Sequence, residues 1–166
     1  MFGAGGGTSS YQELREVSDL IVLWGSNARE AHPIFFHHVL KALHRGARLI
    51  VVDPRRTTSA QWADLWLGLD VGTDIPLANA VAREIIAAGF VNEEFVARAT
   101  TGYDAFRASV EPWTLEEGER VTGVPAAASA ASSTAIASME TVPTTRRRCP
   151  STITCVPVRS RRKPSP

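Results

Sequence analysis

Hydrophobic positions along this chain follow two patterns. Leu20-Ile21-Val22-Leu23-Trp24 and, after Arg48, Leu49-Ile50-Val51-Val52 are unbroken apolar runs of strand length, as in strands buried on both faces of a parallel sheet. The segment between them carries a helical pattern, with Pro33 near its first turn and Gly46 just past its end, the usual asymmetry of helix termini. Lys41, His44 and Arg45 occupy the last turns, where positive charge complements the helix dipole. Strand, helix and strand at these lengths predict a right-handed βαβ unit.

The pattern continues downstream. Leu65, Leu67 and Leu69 alternate with Trp66 and Gly68, which predicts a third strand over residues 65–69. Residues 57–63 read as a turn or short helix. Gly72-Thr73-Asp74 supplies a turn and a cap for a helix with Leu77, Val81 and Ile85 on one face, ending near Gly89. Asn92 caps a short helix with Glu93 and Glu94 in its first turn, Tyr103–Val110 forms another, and Thr114-Leu115-Glu116-Glu117 fits a capping box that opens one more. Residues 1–10 are a Gly-rich loop and residues 11–17 a short helix. The fold class expected is α/β: a Rossmann-like parallel sheet with flanking helices.

Composition divides the chain in two. Residues 1–125 carry eleven Lys/Arg against sixteen acids, whereas residues 126–166 carry seven against one. The tail is rich in Ala, Ser, Thr, Pro and Arg, has no aromatic residue and shows no hydrophobic period. Disorder is expected across residues 126–166, and a shifted reading frame in GC-rich coding sequence produces the same bias. The acidic first part argues against a nucleic-acid partner. The basic runs 146–148 and 159–163 lack interleaved aromatics and read as non-specific charge. No apolar stretch reaches the roughly 18 residues of a membrane span. No secretory signal is visible, so the cytoplasm is the expected location. Cys149 and Cys155 do not make a disulfide framework, and their spacing is wrong for a zinc knuckle.

In open α/β sheets, ligands bind beyond the carboxyl ends of the strands. Gly25-Ser26-Asn27 and Asp53-Pro54-Arg55-Arg56 both fall there, which points to a nucleotide. The residues after the first strand do not match the G-x-G-x-x-G of NAD enzymes, and the glycines of residues 3–7 precede that strand. Asp53 has the position from which an acidic residue accepts ribose hydroxyls, against the alternative of a solvated carboxylate paired with Arg55. Arg55 or Arg56 offers a forked donor to phosphate. Asp74 either caps its helix, a contribution of about 1 kcal/mol, or accepts paired hydrogen bonds from a guanine edge. His32, His37, His38 and His44 match no metal-ligand spacing. No catalytic residue and no metal ligand is assigned.

Residues 3–125 resemble the molybdopterin oxidoreductases, and among them the formate dehydrogenase alpha (catalytic) subunits. The features that carry this are the apolar strand ending in G-S-N (Gly25, Ser26, Asn27), the following Glu30, His32 and Pro33, and R-G-A-R-L-I-V-V-D-P-R over residues 45–55. Then come Ala63-Asp64, L-x-V-G-T-D over residues 69–74, N-E-E-F over 92–95 and V-T-G-V-P over 121–125. The resemblance implies a partial molybdopterin oxidoreductase domain over residues 1–125. Its cofactor would be bis(molybdopterin guanine dinucleotide) molybdenum, touched by Gly25, Ser26, Asn27, Glu30, Asp53, Pro54, Arg55, Gly72 and Asp74. It also implies a 4Fe-4S cluster and a molybdenum ligand that have no match here. The chain is then an internal piece of the alpha subunit, inactive alone, with the remaining alpha-subunit domains and electron-transfer subunits as partners. Beyond residue 125 the resemblance predicts an amphipathic helix and a further strand, which the composition does not suggest. The alternatives are a non-catalytic nucleotide- or partner-binding α/β domain and, disfavoured by its missing glycines, an NAD enzyme.

Overall fold

A computed structural model describes residues 10–140, with side chains placed to residue 137. The Gly-rich start, the basic runs and both cysteines lie outside the described residues. Helix α1 (Tyr11–Glu16) opens on a capping box that the sequence reading missed: Ser10 Oγ accepts from the Glu13 N–H while Glu13 reaches back to the Ser10 N–H. Strand β1 (Leu20–Trp24) follows, then α2 (Ala28–Ala31), α3 (Pro33–Arg45) and β2 (Arg48–Val52). A short 3-10 turn at Ala60–Trp62 leads into β3 (Leu65–Leu67). Four helices come next: α4 (Asp74–Ala87), α5 (Glu93–Ala99), α6 (Tyr103–Val110) and α7 (Leu115–Thr122).

The three strands form one parallel sheet in the order β1-β2-β3, with Leu20 opposite Arg48 and Ile50 opposite Leu65. Alternation along the strands sends side chains to two cores. Ile21, Leu23, Leu49 and Val51 pack against Phe36, Val39 and Ala42 of α3. Ile50, Val52 and Leu67 pack against Leu77 and Val81 of α4, with Val124 and Ala135 closing the same core. The central strand β2 is buried on both faces. Strand β1 is not, contrary to expectation: Val22 and Trp24 remain 38% exposed. Its run is apolar throughout, but β1 is an edge strand and the helices on its second face mainly cover β2 and β3. Strand β3 stops at Leu67, two residues short of the predicted end, although Leu69 is still buried.

Helix ends behave largely as the local chemistry requires. Gly46 closes α3 with φ 111° and Gly123 closes α7 with φ 71°, a left-handed geometry that glycine adopts without steric cost. Asn92 Oδ1 caps α5 by accepting from the Phe95 N–H. At α7 only half of the predicted box forms. Thr114 Oγ1 accepts from the Glu117 N–H, but the Glu117 carboxylate turns to Arg120, which holds it below the usual carboxylate range.

The expectation of disorder from residue 126 fails over its first fifteen residues. Ala126–Glu140 forms a helix, α8, packed on α4 and α7 and reaching β3 and β1. Alanine is the best helix former, and small residues let helices approach closely. Ala135 and Ala137 are buried there, as are Ser129, Ser132 and Ser133. The hydroxyls of Ser132 and Ser133 offset their burial by donating to the Ser129 carbonyl, at 2.7 and 2.9 Å. Reckoning a core by large apolar residues overlooked one built from small ones. Residues 141–166 lie outside the described residues.

Candidate functional site at the carboxyl edge of the sheet

Because the strands are parallel, the loops that follow them emerge on one edge. The β1 loop holds Gly25, Ser26 and Asn27, the β2 loop Asp53, Pro54, Arg55 and Arg56, and the β3 loop Asp70, Gly72 and Thr73. A long-range bond joins the elements that flank the first and third loops, as Trp24 Nε1 at the end of β1 donates to Asp74 Oδ1 at 2.8 Å. Asp74 is the first residue of α4 and is exposed. It does not cap that helix, and neither does Thr73. Thr73 takes the cap position, but its hydroxyl donates to the Asp70 carbonyl at 2.7 Å. The expected cap contribution at this helix is absent.

Asp53 is buried, at 5% exposure, and its Oδ1 accepts from the backbone N–H of Arg55 at 2.8 Å. It is therefore neither a solvated carboxylate nor the side-chain ion partner of Arg55. The bond folds residues 53–55 into a tight turn that lifts the exposed Pro54 and Arg55 above β2. The two arginines then differ. Arg56 lies over the Trp66 ring at 5.8 Å, a contact worth about 0.5–1 kcal/mol when exposed, while the Arg55 guanidinium has no partner among the described residues.

At the β1 loop, Gly25 takes φ 60°, and its N–H is already spent on the Val52 carbonyl at 2.8 Å, extending the sheet by one bond. An added Cβ at Gly25 or Gly72 meets nothing within 4 Å, so both turns open onto free space. Asn27 Oδ1 lies 3.1 Å from Thr58 Oγ1 and 3.2 Å from Ser59 Oγ, and Thr58 Oγ1 also lies 2.9 Å from Glu30 Oε1. Thr58 and Ser59 were missed by sequence reasoning. Their only signal was a small-polar stretch directly after Asp53-Pro54-Arg55-Arg56, the composition of a loop that must satisfy its own backbone.

The structure thus brings Gly25, Asn27, Glu30, Asp53, Arg55 and Asp74 to one sheet edge, with Ser26, Pro54 and Gly72 in the same loops. The histidines do not join them. His37, His38 and His44 lie along α3, and the His38 ring packs 5.4 Å from Tyr11. No three His, Cys, Asp or Glu side chains among the described residues are grouped to hold a metal ion. No helix among them is long and apolar enough to cross a membrane.

A family model described as molybdopterin oxidoreductase matches residues 6–147. The chain is 39% identical over 125 residues to the F420-dependent formate dehydrogenase 2 subunit alpha of Methanococcus maripaludis, a match covering 75% of this chain and 18% of that protein. It is 39% identical over 109 residues to formate dehydrogenase H of Escherichia coli, covering 66% and 15%. Among solved structures, acetylene hydratase from Pelobacter acetylenicus aligns with a TM-score of 0.65 at 30% identity, over 72% of this chain and 16% of that one. The chain spans less than a fifth of the length of each.

Proposed function

The chain belongs to the molybdopterin oxidoreductase family, and from that premise we propose that the carboxyl edge of its sheet is one wall of the site for a bis(molybdopterin guanine dinucleotide) molybdenum cofactor. The whole protein would be an oxidoreductase of the formate dehydrogenase alpha-subunit kind. The carrying observation is the convergence of three strand-end loops, the first held to the third by the Trp24–Asp74 bond and to the second by the contacts of Asn27 with Thr58 and Ser59. The donor set suits a guanine dinucleotide. Asp74 keeps its second carboxylate oxygen without a partner among the described residues and offers it to a guanine edge. Arg55, also without a partner among the described residues, offers its guanidinium to phosphate. Asp53 stands where ribose hydroxyls meet an acid in other dinucleotide folds, and Gly25 and Gly72 leave room for close approach, with Ser26 and Pro54 in the same loops. Glu30 borders the same loop.

When bound, the cofactor supplies the redox change at molybdenum. This chain's residues bind and orient one dinucleotide half. The cluster and the metal ligand fall to parts of the protein that match nothing in this sequence, and electron-transfer subunits are the natural partners. Formate is the substrate favoured by the names of the two relatives. The acetylene hydratase likeness shows that this fold is not tied to one reaction.

The test is nucleotide preference. Titration of the folded chain in a calorimeter should show saturable binding of GDP and none of NAD at equal concentration. NAD binding with indifference to GDP would overturn the reading. The chain alone, given formate and a dye acceptor, should reduce no dye above the buffer control.

A further inference from the structure

Asn27 holds the N-cap position of helix α2, yet its side chain does not cap it. An Asn in that position ordinarily accepts a hydrogen bond from the N–H two or three residues on. Here the Arg29 N–H donates instead to Ser59 Oγ, 3.0 Å away on the loop after β2, and Ser59 Oγ lies 3.2 Å from Asn27 Oδ1. Ser59 is fully buried. Its oxygen already accepts from Arg29, and a buried hydroxyl proton left without an acceptor is costly. That proton goes to Asn27. That sets the amide oxygen inward, because the reverse orientation would leave the Ser59 proton without an acceptor among the described residues, whereas Thr58 keeps Glu30 Oε1 as its acceptor at 2.9 Å in either orientation. The half-buried Asn27 then keeps both amide N–H donors, which have no acceptor among the described residues, for the crevice.

We propose that Ser59 is a positioning residue: it takes over the cap of α2 and turns Asn27 into an oriented donor for phosphate oxygens of a bound nucleotide. The exposed cations Arg55 and Arg56 on the loop after β2 and Arg29 on α2 favour that anionic class, although Arg29 and Arg56 lie over the Trp62 and Trp66 rings. The proposal rests on the dinucleotide reading above.

The experiment uses the full chain and two probes, GDP and guanosine, with binding followed by calorimetry and the Asn27 side-chain amide followed by NMR. Ser59→Ala should weaken GDP binding about tenfold, the loss expected for one hydrogen bond to a charged group, and leave guanosine binding within twofold. It should also shift the ligand-free Asn27 amide resonances as the side chain swings to cap Arg29. Ser59→Thr, which keeps the hydroxyl, should restore both. Asn27→Asp keeps the acceptor for Ser59 but replaces the donor with negative charge, so it should lose GDP by more than tenfold and keep guanosine. This variant carries the test if Ser59→Ala does not fold. Wild-type binding of GDP that persists in Ser59→Ala and Asn27→Asp overturns the proposal alone, as does an Asn27 amide unmoved by Ser59→Ala. Failure of the wild-type chain to bind GDP overturns the dinucleotide reading and this proposal with it.

Discussion

Helices α4 and α7 touch where both have almost no side chain, and that contact positions the helix carrying Asp74. A Cβ placed on Gly118 would sit 2.9 Å from the Cβ of Ala80, well inside the 3.5–4.0 Å of a relaxed carbon contact. Both residues are buried, Ala80 completely. Gly118→Ala therefore sets two effects against each other. Alanine gains about 1 kcal/mol in helix propensity over glycine, while overpacking a tight contact costs about 1–3 kcal/mol. The clash should win, lowering stability by about 1 kcal/mol net. Ala80→Gly removes the obstructing methyl at its own propensity cost, so Ala80→Gly/Gly118→Ala should return close to wild type. The cycle should then show a favourable coupling of about 1–3 kcal/mol. Urea denaturation of the four proteins measures it. A stabilised Gly118→Ala, or single effects that simply add, would refute the claim that the helices meet at contact distance here.

Ala137 of α8 is 1% exposed, so Ala137→Asp should cost about 3 kcal/mol by burying an unpaired carboxylate, measured by urea denaturation, with wild-type amides across Ala126–Glu140 protected in hydrogen exchange. Asp53→Ala removes the acceptor that closes the Arg55 turn and should cost about 1.5–3 kcal/mol, with Asp53→Asn recovering most of it in thermal melts. Trp24→Phe keeps the ring and deletes the donor to Asp74, so GDP affinity should fall about threefold to tenfold while the melting temperature changes little. Arg120 lowers the Glu117 carboxyl, so its small stabilisation is present above the ordinary carboxylate pKa and lost as pH falls through the lowered value. Glu117→Gln should therefore melt below wild type at neutral pH and match it in stronger acid.

The two strands flanking α3 are legible to the residue because unbroken apolar runs of five and four residues, on either side of a capped helical pattern, have few other solutions. What the run could not convey is its place in the sheet. Val22 is as apolar as Val52, yet one is 38% exposed and the other 1%; burial was decided by where α4 and α8 come to rest. Helix α8 was hidden for the complementary reason. Its face is Ala and Ser, and whether such a face is a core or a solvated stretch depends on a partner of matching smallness.

The crevice separates in the same way into what sequence position dictates and what side chains negotiate. Parallel strands oblige the loops after β1, β2 and β3 to share an edge, so Gly25, Asp53 and Gly72 were placeable from strand order alone. The conduct of their neighbours was not. Thr73 and Asn27 hold the N-cap positions of α4 and α2, where such side chains ordinarily cap, and neither does so. The Thr73 hydroxyl goes to the Asp70 carbonyl and the Asn27 amide to a hydroxyl thirty-two residues downstream, while the carboxylate of Asp74 is drawn to an indole fifty residues upstream. The bonds of Asn27 and Asp74 each tie a helix start to another element at the crevice. Ser59 supplies the cap that Asn27 withholds from α2, whereas α4 goes without a side-chain cap, a local inconsistency of the kind that accompanies functional or strained positions.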